Sequence, residues 1–216
     1  RPIDQELLHE LFIWRNYASA SYKDDADQWS CEICLRPPLS ATMLTMMVEN
    51  PESSCRAVVT VNPKLRVINV AFRGTQGLRG FQADFTANLV PWPANQSRTH
   101  AHLGFTSTYS SIAPSVLKIL GLYAQSFPDY AIVLVGHSLG GAQAAVMAVD
   151  LIYHHPEWIS RLELYMFNPP RPGDHAMAQL ILQKGIKAYR VINHKDKVSS
   201  MPPRKSGYSH VGKEVW

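Results

Sequence analysis

Twenty residues restrict this chain more than all the others. Ala131 to Asp150 reads AIVLVGHSLGGAQAAVMAVD. Ala131 to Val135 is a short apolar run of the kind that forms a buried strand. Gly136-His137-Ser138-Leu139-Gly140 follows and fits the pattern G-x-S-x-G. Small and apolar residues then continue at helical spacing through Val149. Strand, sharp turn and helix in this order describe a nucleophile elbow. A serine forced into a strained turn lifts its hydroxyl clear of the backbone, and glycines on either side let strand and helix pass closely. The helix N-terminus beneath it favours developing negative charge. G-x-S-x-G alone occurs by chance in many chains. Here the flanking elements accompany it, so Ser138 is read as a catalytic nucleophile.

The chain has 216 residues, enough for one domain with a substantial core. Residues 1–216 are read as a single domain. Hydrophobic residues make up 46%, which excludes a disordered chain. Net charge is +4, with no run of Lys or Arg, too diffuse for a nucleic-acid partner. No apolar run approaches the roughly 20 residues of a membrane-spanning helix. No repeat, low-complexity stretch or linker divides the chain.

Periodicity supplies the remaining elements. Leu7 to Tyr22 is an amphipathic helix. Cys55 to Val61 and Leu65 to Phe72 alternate as two strands joined at Asn62-Pro63-Lys64. Arg73 to Arg98 is irregular. Ser115 to Ser126 is helical. After the elbow come a strand over 162–167, a helix over 174–184 and a strand over 187–193. Strands alternating with helices predict an α/β fold with a mostly parallel central sheet and helices on both faces. In such sheets the loops at the carboxyl ends of the strands carry chemistry. Ser138 follows one strand. Asn193-His194-Lys195-Asp196 follows another, and Asp196 is the best-placed acid. Asp150 lies inside a helix, and Asp174 belongs to the start of the next one.

Cys31 and Cys34 form a C-x-x-C pair. Leu35-Arg36-Pro37-Pro38 follows and blocks the helix that a redox pair opens, and zinc would need two further ligands that the sequence does not space for it. A local disulfide is the remaining reading, and it implies an oxidising compartment. Cys55 is either buried and free or paired outside this chain. Asn95-Gln96-Ser97 is a glycosylation sequon beside two prolines, so Asn95 is expected on a surface loop. Together these features read as a secreted, extracellular protein.

At this point the chain resembles the fungal-type class 3 lipases, which are α/β-hydrolases. The resemblance runs from about Trp14 to Trp216. It rests on Tyr17 to Tyr22, the cysteine pair, Phe72-Arg73-Gly74-Thr75, His102-Leu103-Gly104-Phe105 and Gly136 to Gly141. It continues through Pro170-Arg171-Pro172-Gly173-Asp174 and Gly207-Tyr208-Ser209-His210. The resemblance implies that Ser138 is the nucleophile and Asp196 the triad acid. It implies an oxyanion hole at Thr75, by backbone N–H and hydroxyl, and at the Leu139 backbone N–H. Asp84 would steady the Thr75 hydroxyl. Gly77 to Ala83 matches a lid helix, with Leu78 and Phe81 on its apolar face. The Cys31–Cys34 pair is similar to a family disulfide. The implied activity is hydrolysis of acylglycerol esters at an oil–water interface, with no cofactor and no metal. A feruloyl-type or general esterase is the alternative.

The departure is the base. The family's catalytic histidine lies downstream of the Gly-Tyr-x-His stretch, near the C-terminus. His210 gives the order Ser, Asp, His, but it follows Asp196 closely across Pro202-Pro203 with no strand before it. His137 should point away from its neighbour Ser138. His102 resembles a structural residue. The chain therefore reads as C-terminally incomplete, or as one piece of a cleaved protein whose C-terminal piece is separate. The third reading is a pseudoenzyme that binds a lipid or a protein partner.

Overall fold

The computed structural model describes residues 3–75, 88–96, 98–193, 196 and 198–216. The expected lid residues Leu78 and Phe81, Asp84, and the sequon's Ser97 lie outside the described residues.

Eleven strands fall among the described residues. They are β1 (Leu44–Asn50), β2 (Cys55–Asn62), β3 (Val67–Phe72), β4 (Leu89–Pro91), β5 (His100–His102), β6 (Ala131–His137), β7 (Leu162–Phe167), β8 (Gly173–Asp174), β9 (Lys187–Val191), β10 (Tyr208–Ser209) and β11 (Lys213–Val215). Seven of them form the main sheet in the order β1-β2-β3-β6-β7-β9-β11. β1, β2 and β3 pair antiparallel; β3, β6, β7, β9 and β11 run parallel. A small antiparallel sheet, β10-β8-β5-β4, stands apart.

Side-chain alternation along the strands builds two cores. Ile132 and Leu134 of β6 face one side, where they meet α2 (Leu103–Ser110), α3 (Ala113–Ser126), α4 (Leu139–His154) and α5 (His175–Gln183). Val133 and Val135 face the other, where α1 (Gln5–Ala20) packs through Leu11, Trp14, Tyr17 and Ala18. Helices therefore cover both faces, as the strand–helix alternation predicts. Both faces being covered explains why β2 and β3 are buried at every position.

Helix α4 is the central element. Every residue from Gly140 to Ile152 is buried. Its first turn is small (Gly140, Gly141, Ala142), which lets it lie close to β3, β6 and β7. Asp174 caps α5 by accepting a hydrogen bond from the Met177 N–H (2.8 Å), in line with its expected place at a helix start.

Local differences from the periodicity reading have identifiable causes. The hairpin turn is wider than Asn62-Pro63-Lys64, because Arg66 takes a positive φ (56°) and β3 begins only at Val67. The strand after α5 ends at Val191 rather than residue 193. Among the described residues of the region 73–98 there is one short strand, β4. Periodicity did not show β1 or α2. A strand also precedes His210, contrary to expectation, but it is the two-residue β10 of the small sheet.

Cys31 and Cys34 are disulfide-bonded, with Cα atoms 5.0 Å apart. Cys55 is a buried free thiol, so the first of its two readings holds. Its sulfur accepts a hydrogen bond from Gln143 Nε2 (3.2 Å), and burial pushes its pKa up to about 12. Thiolate is the reactive form. Iodoacetamide at pH 8 should therefore leave Cys55 unmodified in the folded protein and alkylate it in denaturant. Peptide mapping by mass spectrometry reads this directly, and rapid labelling of the native protein would contradict the burial.

Candidate active site

Ser138 sits between β6 and α4 with φ 55° and ψ −127°. An L-residue in this region is strained by about 1–3 kcal/mol and persists only where its surroundings enforce it. The enforcement is visible. The Ser138 N–H donates to Phe167 O (2.8 Å) on β7, and its carbonyl accepts from the Gly141 N–H (3.0 Å). Gly136 and Gly140 are in backbone contact beneath the turn: a Cβ on Gly136 would lie 2.2 Å from the Gly140 carbonyl. The side chain is 2% exposed, and its Oγ has no hydrogen-bond partner among the described residues.

Gly74 and Thr75 follow β3, which pairs with β6 through Phe72 and Gly136. A Cβ on Gly74 would lie 3.2 Å from Ser138 Cβ, so this segment runs against the nucleophile. Thr75 Oγ1 is likewise buried without a partner among the described residues. As the first residue of α4, Leu139 offers an N–H with no acceptor in a preceding turn. The structure thus brings Ser138, Thr75 and Leu139 to one place at the carboxyl end of the sheet.

Tyr22 locks this arrangement from the α1 side. Its hydroxyl bonds His137 Nδ1 at 2.9 Å and also engages the Gly74 backbone. The His137 ring is therefore occupied away from Ser138, as expected. Burial lowers its pKa, partly opposed by the Asp196 carboxylate.

Asp196 follows β9 on the same edge. Its N–H donates to Asn193 O (2.9 Å), its Oδ1 accepts from the Val198 N–H (2.9 Å), and its carbonyl accepts from Ser199 Oγ (3.1 Å). These bonds fold the acid into a tight turn. Asn168, which sequence reasoning missed, ties the strand ends together. It has φ 46°, its N–H donates to Val191 O, and its Oδ1 accepts from the Asn193 N–H (2.6 Å). Asparagine tolerates the left-handed region better than most residues, and its position directly after β7 was the available signal.

The described histidines have other duties. His102 Nδ1 accepts from the Gly104 N–H (3.0 Å) and its ring stacks on Phe105, so it caps α2. His100 pairs with Asp174, His154 with Asp150, and His155 with Glu157. His9 and His175 are exposed on helices, and His194 lies outside the described residues. His210 is largely buried and bonds the Ser199 backbone. Burial, together with Arg190, Arg171 and Arg204, pushes its pKa down to about 3. Three neighbouring cations make it a poor proton acceptor, and it lines a cavity of about 460 Å³ between α5 and the β9–β11 edge. Asn95 is exposed in a turn closed by Gln96 N–H to Pro93 O (2.8 Å). No group of acidic, histidine or cysteine side chains among the described residues could hold a metal ion, and none of the described helices is long and apolar enough to cross a membrane.

A mostly parallel sheet with a strained serine between its central strand and a buried helix defines the α/β-hydrolase fold with a nucleophile elbow. Within that class, the family model for class 3 lipases matches residues 69–206, and the chain belongs to that family. It is 33% identical over 162 residues to a lipase of Rhizomucor miehei, covering 74% of this chain and 44% of that protein. It is 29% identical over 225 aligned positions to the secreted mono- and diacylglycerol lipase A of Penicillium cyclopium, covering 100% and 72%. The chain spans about half the length of the Rhizomucor and Rhizopus relatives, at 44% and 48%. Among solved structures, the Rhizomucor miehei lipase propeptide complex superposes with a TM-score of 0.92 at 28% identity, over all of this chain and 70% of that one. A triacylglycerol lipase whose catalytic centre is described as a serine protease triad also gives 0.92 at 28%, over 100% and 82%.

Proposed function

We propose that this chain carries the nucleophile, the oxyanion hole and the triad acid of a secreted carboxylic-ester hydrolase acting on acylglycerols. One observation carries the reading. Ser138 is held in a strained conformation with a buried hydroxyl that has no partner among the described residues, as has the buried Thr75 hydroxyl near it, and the first N–H of α4 is at the same place. A fold bears such strain where chemistry uses it.

The steps follow from these positions. Ser138 Oγ attacks the ester carbonyl, and its proton passes to an imidazole. The carbonyl oxygen becomes an oxyanion held by the Leu139 N–H and by the Thr75 N–H and hydroxyl. Removing one such donor typically costs about 10²–10³ in rate. The tetrahedral intermediate collapses to an acyl-enzyme as the imidazole returns its proton to the leaving alcohol. Water then releases the fatty acid by the same route. Asp196 orients the imidazole and stabilises its charged form. No described histidine reaches Ser138, so we place the base at a histidine outside the described residues. The family resemblance assigns Asp84 to the support of the Thr75 hydroxyl and Leu78 and Phe81 to a lid; all three lie outside the described residues. The Cys31–Cys34 bond, the exposed Asn95 and the Penicillium relative described as secreted support an extracellular location.

A serine-reactive alkyl phosphonate tests the proposal. Added to the full-length protein with an emulsified acylglycerol, it should label Ser138 alone and stop ester hydrolysis in proportion. Labelling at another residue, or hydrolysis that survives full labelling of Ser138, would refute it. Faster turnover of feruloyl esters than of acylglycerols would replace the lipase reading with the esterase one.

A further inference from the structure

Arg171 lies in the link between β7 and β8, on no element that carries a catalytic group. Its backbone N–H donates to Met201 O (2.7 Å). Its guanidinium Nη1 donates to Ser200 O and to Pro202 O (2.6 Å). One residue thus gathers three consecutive carbonyls. Those carbonyls end the short turn that Asp196 begins: Asp196 Oδ1 accepts from the Val198 N–H, Ser199 Oγ donates to Asp196 O, and the Met201 N–H donates to Val198 O. Among the described residues, His210 also bonds the Ser199 backbone, and Val198 is buried as an apolar anchor of the turn.

The neighbourhood makes this grip unusual. Arg171, Arg190 and Arg204 lie close enough to act on one another and on His210. Arg190 is 6% exposed and pairs with Glu214. A guanidinium placed among like charges is unfavourable unless its bonds require it there. Both side-chain bonds leave Nη1, whose two hydrogens are fixed in the guanidinium plane, whereas the flexible, more strongly hydrated lysine ammonium would carry the same charge and hold the two carbonyls less firmly.

We propose that Arg171 is a positioning residue for the triad acid: it fixes the turn that begins at Asp196 and so sets the direction of that carboxylate. The proposal rests on Asp196 being the triad acid, as assigned above. Its mechanical part stands independently and can be measured without turnover.

The test uses the full-length protein with Arg171→Met, Arg171→Lys and Arg204→Gln. Arg204→Gln removes a cation from the same cluster and leaves the carbonyl bonds intact. Deuterium uptake is followed in peptides covering Val198–Pro203, with kcat and KM measured on a soluble ester. Arg171→Met should exchange faster in that segment and not in α4 or β6. It should lose about 10²-fold in kcat, the order expected when a catalytic group is misplaced by about 1 Å, with KM nearly unchanged. Arg171→Lys should fall between Arg171→Met and the wild type, and Arg204→Gln should match the wild type in both readouts. Wild-type exchange and kcat in Arg171→Met would overturn the proposal. So would an equal loss of kcat in Arg204→Gln, which would make the effect one of charge. Should Arg171→Met fail to fold, Arg171→Lys carries the same comparison. If the wild type shows no Ser138-dependent turnover, the functional assignment fails while the exchange result still decides the clamp.

Discussion

Replacing Gly140 with alanine is expected to destabilise the fold severely. Helix propensity alone predicts the opposite sign, since alanine gains about 1 kcal/mol over glycine inside a helix. Contact geometry overrides it. A Cβ at Gly140 would lie 2.3 Å from Phe72 O, 2.8 Å from Phe72 C and 3.0 Å from Arg73 C. All three are backbone atoms of β3 and the residue after it, so no side chain can rotate away. Either α4 lifts from the sheet or β3 parts from β6, with which it pairs from Val67↔Ala131 to Phe72↔Gly136. Both movements open the core around Leu134, Ala144 and Val146, which are fully buried. A loss above about 4–5 kcal/mol is expected, exceptional for one methyl group. It would consume much of a typical domain stability of about 5–15 kcal/mol. Denaturant titration of Gly140→Ala beside the wild type measures it. A soluble variant within about 1 kcal/mol of wild type would show that helix and strand are not in the close contact described. Because Gly74 and Thr75 follow at once, the same contact sets the distance between nucleophile and oxyanion hole.

The elbow was readable in sequence because its constraints are local. An apolar run, two glycines and a helix of small residues must be adjacent in the chain for it to form. Strand β7 was readable at its observed bounds for the same reason: LELYMF is a short apolar run between turn signals. β1 was not. Its sequence, LTMMVEN, does not alternate, and its burial varies little between half-buried and exposed positions. It is an edge strand that owes its existence to seven pairings with β2. Helix α2 was hidden by composition. LGFTSTYS holds one glycine and four serines and threonines, poor helix formers. Phe105 and Tyr109, four apart, pack its buried face, and His102 caps it. That spacing was available, but one pair in eight residues is a weak signal. The site divides in the same way. Ser138 was legible from its neighbours, whereas Thr75 entered through resemblance. The grip of Arg171 was illegible, because its partners are backbone carbonyls about 30 residues later and carbonyls have no side-chain signature.

Ser138→Gly should make the protein more stable and chemically inert, and the comparison with Ser138→Ala separates two causes. The wild-type serine carries two penalties. Its backbone at φ 55° and ψ −127° is strained by about 1–3 kcal/mol, and its buried hydroxyl lacks a partner among the described residues, which costs about 1–3 kcal/mol more. Alanine removes the hydroxyl and keeps the strain. Glycine removes both, although its greater freedom in the unfolded chain gives back about 0.5–1 kcal/mol. The expected order of stability is serine below alanine below glycine, with the last step near 1 kcal/mol, the strain less that entropy. Thermal and denaturant unfolding of the three proteins measure it. Catalysis should fall by about 10⁶-fold in both variants, the size seen when a triad nucleophile is lost, and phosphonate labelling should vanish. A glycine variant less stable than the alanine one would mean that the backbone at Ser138 is relaxed, and the argument from strain to function would fall. Equal stability of alanine and serine would mean that the hydroxyl has a partner in solution. If both gains appear together with the loss of turnover, the fold is less stable at Ser138 than it could be, and what that cost maintains is a hydroxyl free to attack.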